Sequence, residues 1–253
     1  MKQWLALKEK SRSRKRLGLF LIEGLREISL CIKGGYSIET LIFNPDLISI
    51  DDLRKLNISN AEIVEVTLEL YQRLAYREST QGIIAVSRSK QLYLDQLELK
   101  NPKPLILVAE APEKPGNLGA LLRTADAANL DAVIIANPIS DLYNPNVIRS
   151  SVGCVFTNQI AIGNTEEVIQ YLKSKKFKIF CAALDKSENY HTQDYTQATA
   201  IVVGTEATGL TAAWLENATQ NIMIPMQGEI DSLNVSVAAG ILIFEAKRQR
   251  DFA

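Results

Sequence analysis

Five short apolar runs set the strongest limit on what this chain can fold into: Leu105–Ala109, Ala132–Ala136, Lys178–Ala183, Ala200–Val203 and Asn221–Ile224, separated by helical segments. A strand apolar at nearly every position has no polar face to turn to water, so it must be covered on both sides. Crossover helices between parallel strands give that cover. The second half therefore predicts a parallel α/β sheet with helices on both faces. Val235, Ala238, Ala239, Leu242 and Ala246 recur at helical spacing and are followed by Lys247, Arg248 and Arg250, which predicts a final helix with a basic C-terminal end.

The first 86 residues carry a weaker alternation. Strand-like runs at Leu19–Ile22, Thr40–Phe43, Ile63–Val66 and Gly82–Val86 are interleaved with helical stretches near Arg26–Lys33 and Leu68–Ala75, which predicts a small α/β domain. A polar, weakly patterned stretch from Ser87 to Lys103 ends in the breaker Asn101-Pro-Lys-Pro104 and predicts the linker. The expected domains are 1–95 and 104–253.

Composition excludes more than it selects. The 253 residues are 47% hydrophobic, enough for a core, and no apolar run reaches membrane-spanning length. The N-terminus lacks the pattern of a secretory signal, so a cytoplasmic protein without membrane contact is expected. Cys31, Cys154 and Cys181 lie far apart with no CxxC pair, which predicts buried thiols rather than disulfides or a metal site. A single histidine, His191, leaves little room for a His-based zinc site or a Ser-His-Asp triad, and a surface position is expected for it. Neither GxxxxGK[ST] nor GxGxxG occurs.

Net charge is only −1, but the first sixteen residues hold Lys2, Lys8, Lys10, Arg12, Arg14, Lys15 and Arg16 against Glu9 alone. Such a density suits backbone phosphates, and it equally suits a solvated, frayed terminus.

Three segments place polar residues at the carboxyl ends of predicted strands, where open α/β sheets hold ligands. In Lys114-Pro-Gly-Asn-Leu-Gly-Ala-Leu-Leu-Arg123, a break followed by a helix offers backbone N–H groups and a guanidinium to an anion. In Val203-Gly-Thr-Glu-Ala-Thr-Gly-Leu210, Glu206 sits between Gly204 and Gly209, glycines that let backbone approach a ligand. In Ile224–Ala239, Ile224-Pro225-Met226 closes a strand, and Ser232 and Asn234 flank Leu233 at a helix start. Each also has a purely structural reading: Asn117 or Ser232 as a helix cap, Arg123 as a solvated arginine, GxExxG as a turn.

Taken together and in this order, the three segments resemble the SpoU/TrmH family of the SPOUT methyltransferases over roughly residues 104–250. The ending SLNVSVAAGILIFEAKRQR is the most specific piece, and Arg149-Ser-Ser-Val-Gly-Cys-Val-Phe156 is similar to the segment between the first two family motifs. Phe20-Leu-Ile-Glu-Gly24 and Thr80–Val86 resemble, more loosely, the ribosomal-protein-like substrate-binding domain that precedes this catalytic domain in relatives. Lys114 departs from a common aspartate, Ala207 from a common glycine and Asp231 from a common glutamate.

The resemblance implies a C-terminal trefoil knot and S-adenosylmethionine as cofactor, held near Ala183, Leu184, Gly204, Gly209, Ile224, Met226 and Leu233. It also implies that Asn117, Arg123, Glu206, Ser232 and Asn234 surround a ribose 2′-hydroxyl of RNA, with no metal, and a homodimer whose paired knots build the active sites. In the family the arginine has been proposed as the general base that takes the hydroxyl proton. A guanidinium keeps its proton at nearly any accessible pH, so stabilising the developing alkoxide and a nearby phosphate is the easier role for Arg123. Ribosomal RNA is the expected substrate. The alternatives are transfer RNA and a non-catalytic assembly factor, and against the latter all five polar residues are present.

Overall fold

The computed structural model describes every residue except 57, 59, 77–80, 185 and 253, so Thr80 of the N-terminal likeness lies outside the described residues. The chain divides into two compact units, one built from Met1–Gln91 and Asp141–Thr157, the other from Leu92–Ser140 and Asn158–Ala253. The division thus falls inside the expected linker, but Asp141–Thr157 groups with the first unit instead of continuing the second.

The first unit begins with two helices that the sequence presented only as a run of positive charge. α1 (Lys2–Glu9) and α2 (Ser11–Leu17) precede β1 (Leu19–Glu23), α3 (Leu25–Lys33), β2 (Ile38–Phe43), α4 (Ile50–Arg54), β3 (Glu62–Glu65), α5 (Leu68–Leu74) and β4 (Ile83–Arg88). The sheet runs β1-β4-β2-β3, with β4 antiparallel to both of its neighbours and β3 parallel to β2. A frayed terminus is ruled out, because Leu7 is fully buried and two of the cations have structural work. The Lys8 ammonium donates to the backbone carbonyls of Arg73 and Ala75 at 2.8 and 2.7 Å, closing the end of α5.

Arg14, only 4% exposed, donates to the Leu7 carbonyl at 2.7 Å and to Asp141 Oδ2 at 2.6 Å. That contact helps to explain why Asp141–Thr157 belongs here, as does Tyr143, whose ring stacks on Phe20 with centroids 4.3 Å apart. Removing one member of a buried ion pair leaves the other charge uncompensated. Asp141→Ala is therefore expected to destabilise this unit by about 3 kcal/mol, measurable by urea denaturation.

In the second unit, β5 (Leu105–Glu110), α6 (Pro115–Ala127) and β6 (Ala132–Ala136) come first. The chain leaves for α7 (Pro145–Ser150) in the first unit and returns with β7 (Ile160–Gly163), α8 (Thr165–Ser174) and β8 (Lys178–Ala182). It ends with β9 (Glu188–Asn189), β10 (Thr199–Val203), α9 (Ala212–Asn217), β11 (Gln220–Met223) and α10 (Val235–Gln249). The seven strands run β7-β6-β5-β10-β8-β11-β9, and every pairing is parallel. All five predicted strands are present; β7 and β9 were not anticipated.

Both faces of this sheet are covered, as the uninterrupted apolar runs required. Ile106, Val108, Ile134, Ile179 and Val202 pack in one cluster with Val168 and Leu172 of α8 and Trp214 of α9. The alternate strand residues Leu107, Val133 and Ile201 are equally buried on the other face. The expected linker is less free than its composition suggests, since Leu94, Leu97 and Leu99 pack against the first of these clusters. Cys31, Cys154 and Cys181 are buried free thiols, and burial pushes Cys31 and Cys181 up to about 12. His191 is exposed, and no helix among the described residues is long and apolar enough to cross a membrane.

Candidate active site

The order of the strands decides where a ligand can sit. The chain moves outward from β5 through β6 to β7, then crosses to the other side of β5 for β8, β10 and β11. Such a switch point opens a crevice beyond the carboxyl ends of the strands. In this unit the crevice is a cleft of about 790 Å³ walled by the segments that follow β8, β10 and β11.

All seven residues expected at the cofactor lie on its wall: Ala183, Leu184, Gly204, Gly209, Ile224, Met226 and Leu233. Glu206, Ser232 and Asn234 share it. Its shape depends on a close backbone approach. A Cβ on Gly204 would come within 2.3 Å of the Gly209 carbonyl carbon, and Gly209 itself takes the left-handed conformation at φ 67°. Thr205 and Gly209 exchange backbone hydrogen bonds of 3.1 Å, so 204–210 is a closed loop and not a free turn.

Beside the cleft a polar cluster assembles from all three segments. Glu206 Oε1 accepts from Asn117 Nδ2 at 3.0 Å and from Asn234 Nδ2 at 2.6 Å, while Asn234 Nδ2 also reaches Asn117 Oδ1 at 3.1 Å. Lys114 makes an ion pair with the other oxygen of Glu206. That ammonium, followed by the Asn117 amide, holds the Glu206 carboxyl below the usual carboxylate range, and Glu206 in turn raises Lys114. A depressed carboxylate contributes its stabilisation above its ordinary titration range and loses it as pH falls through the lowered value. The cluster is therefore ionised and intact at neutral pH.

Neither Asn117 nor Ser232 is a helix cap. Asn117 does not cap its helix, because the N-cap of α6 is Lys114 and the Asn117 amide is turned to Glu206. Ser232 does not cap α10 either; Asn234 does, its Oδ1 accepting from Ser236 N at 3.0 Å. One side chain thus starts the helix and faces the site.

Arg123 is not gathered with the others. It lies on α6 six residues beyond Asn117, about 240° round the helix and about 9 Å along it, and it is exposed. The residues that sequence reasoning did not place in the site are Lys114, noted only as a departure from the family pattern, and Glu110. The one signal for Glu110 was a carboxylate ending a wholly apolar strand.

The lining fits a nucleoside-sized cationic molecule. Cleft volumes of about 300–1,000 Å³ suit such ligands, and the lining combines apolar side chains and backbone with Glu206 and Asp231; among the described residues no lysine, arginine or histidine lines it, Lys114 standing beside it on Glu206.

Residues 104–244 match the SpoU rRNA Methylase family, and 1–85 match the MRM3-like substrate binding domain. The chain belongs to the SpoU rRNA methylase family. It is 28% identical over 247 residues to the 23S rRNA (guanosine(2553)-2′-O)-methyltransferase RlmP of Bacillus subtilis, covering 98% of this chain and 95% of that protein. To the 23S rRNA (guanosine-2′-O-)-methyltransferase RlmB of Haemophilus ducreyi it is 35% identical over 209 residues, 79% of this chain and 83% of the relative. Among solved structures, the SpoU methyltransferase AviRb from Streptomyces viridochromogenes in complex with AdoMet superposes with a TM-score of 0.90 at 28% identity, covering 99% and 97% of the two chains.

Proposed function

We propose that the chain transfers a methyl group from S-adenosylmethionine to a ribose 2′-hydroxyl of ribosomal RNA, with residues 104–253 as the catalytic domain and 1–95 as the RNA-binding domain. The observation that carries this is the convergence of Asn117, Glu206 and Asn234 beside a nucleoside-sized cleft whose wall carries Glu206 and Asp231. Bound there, S-adenosylmethionine supplies an already activated methyl group. Ala183, Leu184, Gly204, Gly209, Ile224, Met226 and Leu233 hold it, and the chain about them forms the trefoil knot that the family resemblance implies.

The rest of the task is positioning. Asn117, Ser232 and Asn234 present polar groups to the ribose and orient its hydroxyl toward the cleft. The lowered pKa of Glu206 makes it a weak base, so its role is to orient the Asn117 and Asn234 amides, from which it accepts. Arg123, displaced from this cluster within one chain, serves the site of a second copy in a homodimer, where it stabilises the developing alkoxide and an adjacent phosphate. The outer face of α10 supports pairing: Val237 and Phe244 are 51% and 44% exposed, one stripe at helical spacing with the half-buried Ile241. The enzyme acts in the cytoplasm on ribosomal RNA.

RNA is gripped in part by exposed Lys10, Arg12, Lys15 and Arg16 at and along α2. Deleting the first sixteen residues is a poor test, because it would also remove buried Leu7 and Arg14. Replacing the four exposed cations by glutamine keeps the helices. That variant is expected to weaken RNA binding and to flatten its salt dependence by about one unit of slope per lost phosphate contact. Filter binding at three salt concentrations reads both, and an unchanged slope removes α2 from the RNA interface.

A further inference from the structure

Glu110 is the one buried carboxylate among the described residues beside the site, and nothing in the transfer itself uses it. It is the last residue of β5, 2% exposed, and its partners are neutral. Oε2 accepts from the backbone N–H of Thr211 at 2.9 Å, and Oε1 accepts from the hydroxyls of Thr211 and Thr165, both at 2.8 Å. Thr165 Oγ1 accepts in turn from Asn137 Nδ2 at 2.8 Å. One carboxylate thus ties the end of β5 to the residues that follow β6, to the start of α8 and to the N-cap of α9.

A buried carboxylate costs more than an apolar residue of similar size unless its hydrogen bonds are good, so packing alone does not account for it. Thr211 offers the reason. It follows the 204–210 loop directly, and that loop wraps the cleft and carries Glu206. One foot of the loop is set by β10 ending at Val203; the other is set by Thr211 on Glu110. Asn117 follows Glu110 by seven residues on the same segment, so the carboxylate holds the loop in register with the helix whose amide meets Glu206.

We infer that Glu110 is a positioning residue for the cofactor, fixing the 204–210 loop through Thr211. The inference rests on the cleft being the S-adenosylmethionine site. The test uses the full-length protein. In Glu110→Met, nearly isosteric and apolar, no acceptor faces the Thr211 N–H, so the loop contact fails; the α8 contact is lost with it, and a control on that side separates the two. The expected result is a rise of about tenfold in the KM for S-adenosylmethionine, and in the Kd of S-adenosylhomocysteine by calorimetry, with kcat at saturation within about threefold. Thr165→Val serves as the structural control: it removes a bond to the same carboxylate on the α8 side, so melting temperature falls while the cofactor KM holds. Should Glu110→Met fail to fold, Thr211→Val, which keeps the backbone N–H and loses one hydroxyl, is expected to raise the cofactor KM about threefold.

A wild-type cofactor KM in Glu110→Met, or in Thr211→Val where Glu110→Met does not fold, overturns the inference. An equal rise in Thr165→Val also overturns it. Absence of S-adenosylhomocysteine binding to the wild-type chain would instead overturn the assignment of the cleft.

Discussion

Arg123→Ala is expected to lower methyl transfer by about 10²–10³-fold while the Kd for S-adenosylhomocysteine stays within about tenfold, a separation of roughly 1.4 kcal/mol at most on the binding side. The separation follows from geometry, because Arg123 lies outside the cleft, and in the proposed homodimer it reaches the reacting hydroxyl of the partner's site. Mixing Arg123→Ala with Asn234→Ala subunits provides a direct check. If Arg123 acts on the partner's site, mixed dimers regain one complete site each and the mixture recovers about a quarter of wild-type activity. Recovery that never exceeds the two parents would place Arg123 in its own chain's site. Arg123→Lys adds a further distinction, since lysine keeps the charge but lacks the planar fork, and strong retained activity would indicate a point-charge role.

Gly204→Ala is expected to weaken cofactor binding by at least about 100-fold, near 2.7 kcal/mol. The new Cβ would lie 2.3 Å from the Gly209 carbonyl carbon and oxygen and 2.6 Å from Leu210 N, all backbone atoms that cannot rotate away. The loop would have to open, and with it the cleft wall and the seat of Glu206. Gly228→Ala is the matched control on the facing segment, because nothing lies within 4 Å of a Cβ there. Calorimetry with S-adenosylhomocysteine on both variants compares them. Equal affinities would show that the close approach of Gly204 to Gly209 does not shape the site.

The sheet of the second unit was legible because burial on both faces writes itself into the sequence as uninterrupted apolar runs. Five strands were visible for that reason. β7 (Ile160–Gly163) escaped because it is a short edge strand bounded by polar residues, and β9 because two residues carry no period. The first two helices were hidden by their own charge: Leu7, Lys8 and Arg14 do structural work, but the pattern reads as basic before it reads as amphipathic. The grouping of Asp141–Thr157 with the first unit depends on the Arg14–Asp141 pair and the Phe20–Tyr143 stack, contacts between residues more than a hundred positions apart.

The site was legible as motifs but not as geometry. The cleft-lining residues could be named because the three segments resemble the SpoU/TrmH motifs, and the resemblance carries those positions over. That Asn234 rather than Ser232 caps α10, and that Lys114 neutralises Glu206, are matters of side-chain direction that spacing alone leaves open. Glu110 was invisible for a simpler reason. A single acidic residue at the end of a strand reads as its solvent-facing terminus until the strand is seen to end inside the protein.

The central claim is transfer of a methyl group to a ribose oxygen, and the chemistry of the product tests it most directly. Purified full-length protein is incubated with methyl-labelled S-adenosylmethionine and ribosomal RNA prepared from a strain lacking the protein, and the RNA is then hydrolysed in alkali. A methylated 2′-oxygen can no longer attack the neighbouring phosphate, so the expected label appears in a single alkali-resistant dinucleotide, which mass spectrometry places at one position. Label released in mononucleotides would mean methylation on a base, and no label in ribosomal RNA by a chain that binds S-adenosylhomocysteine would mean a different acceptor. Either result would contradict the assignment.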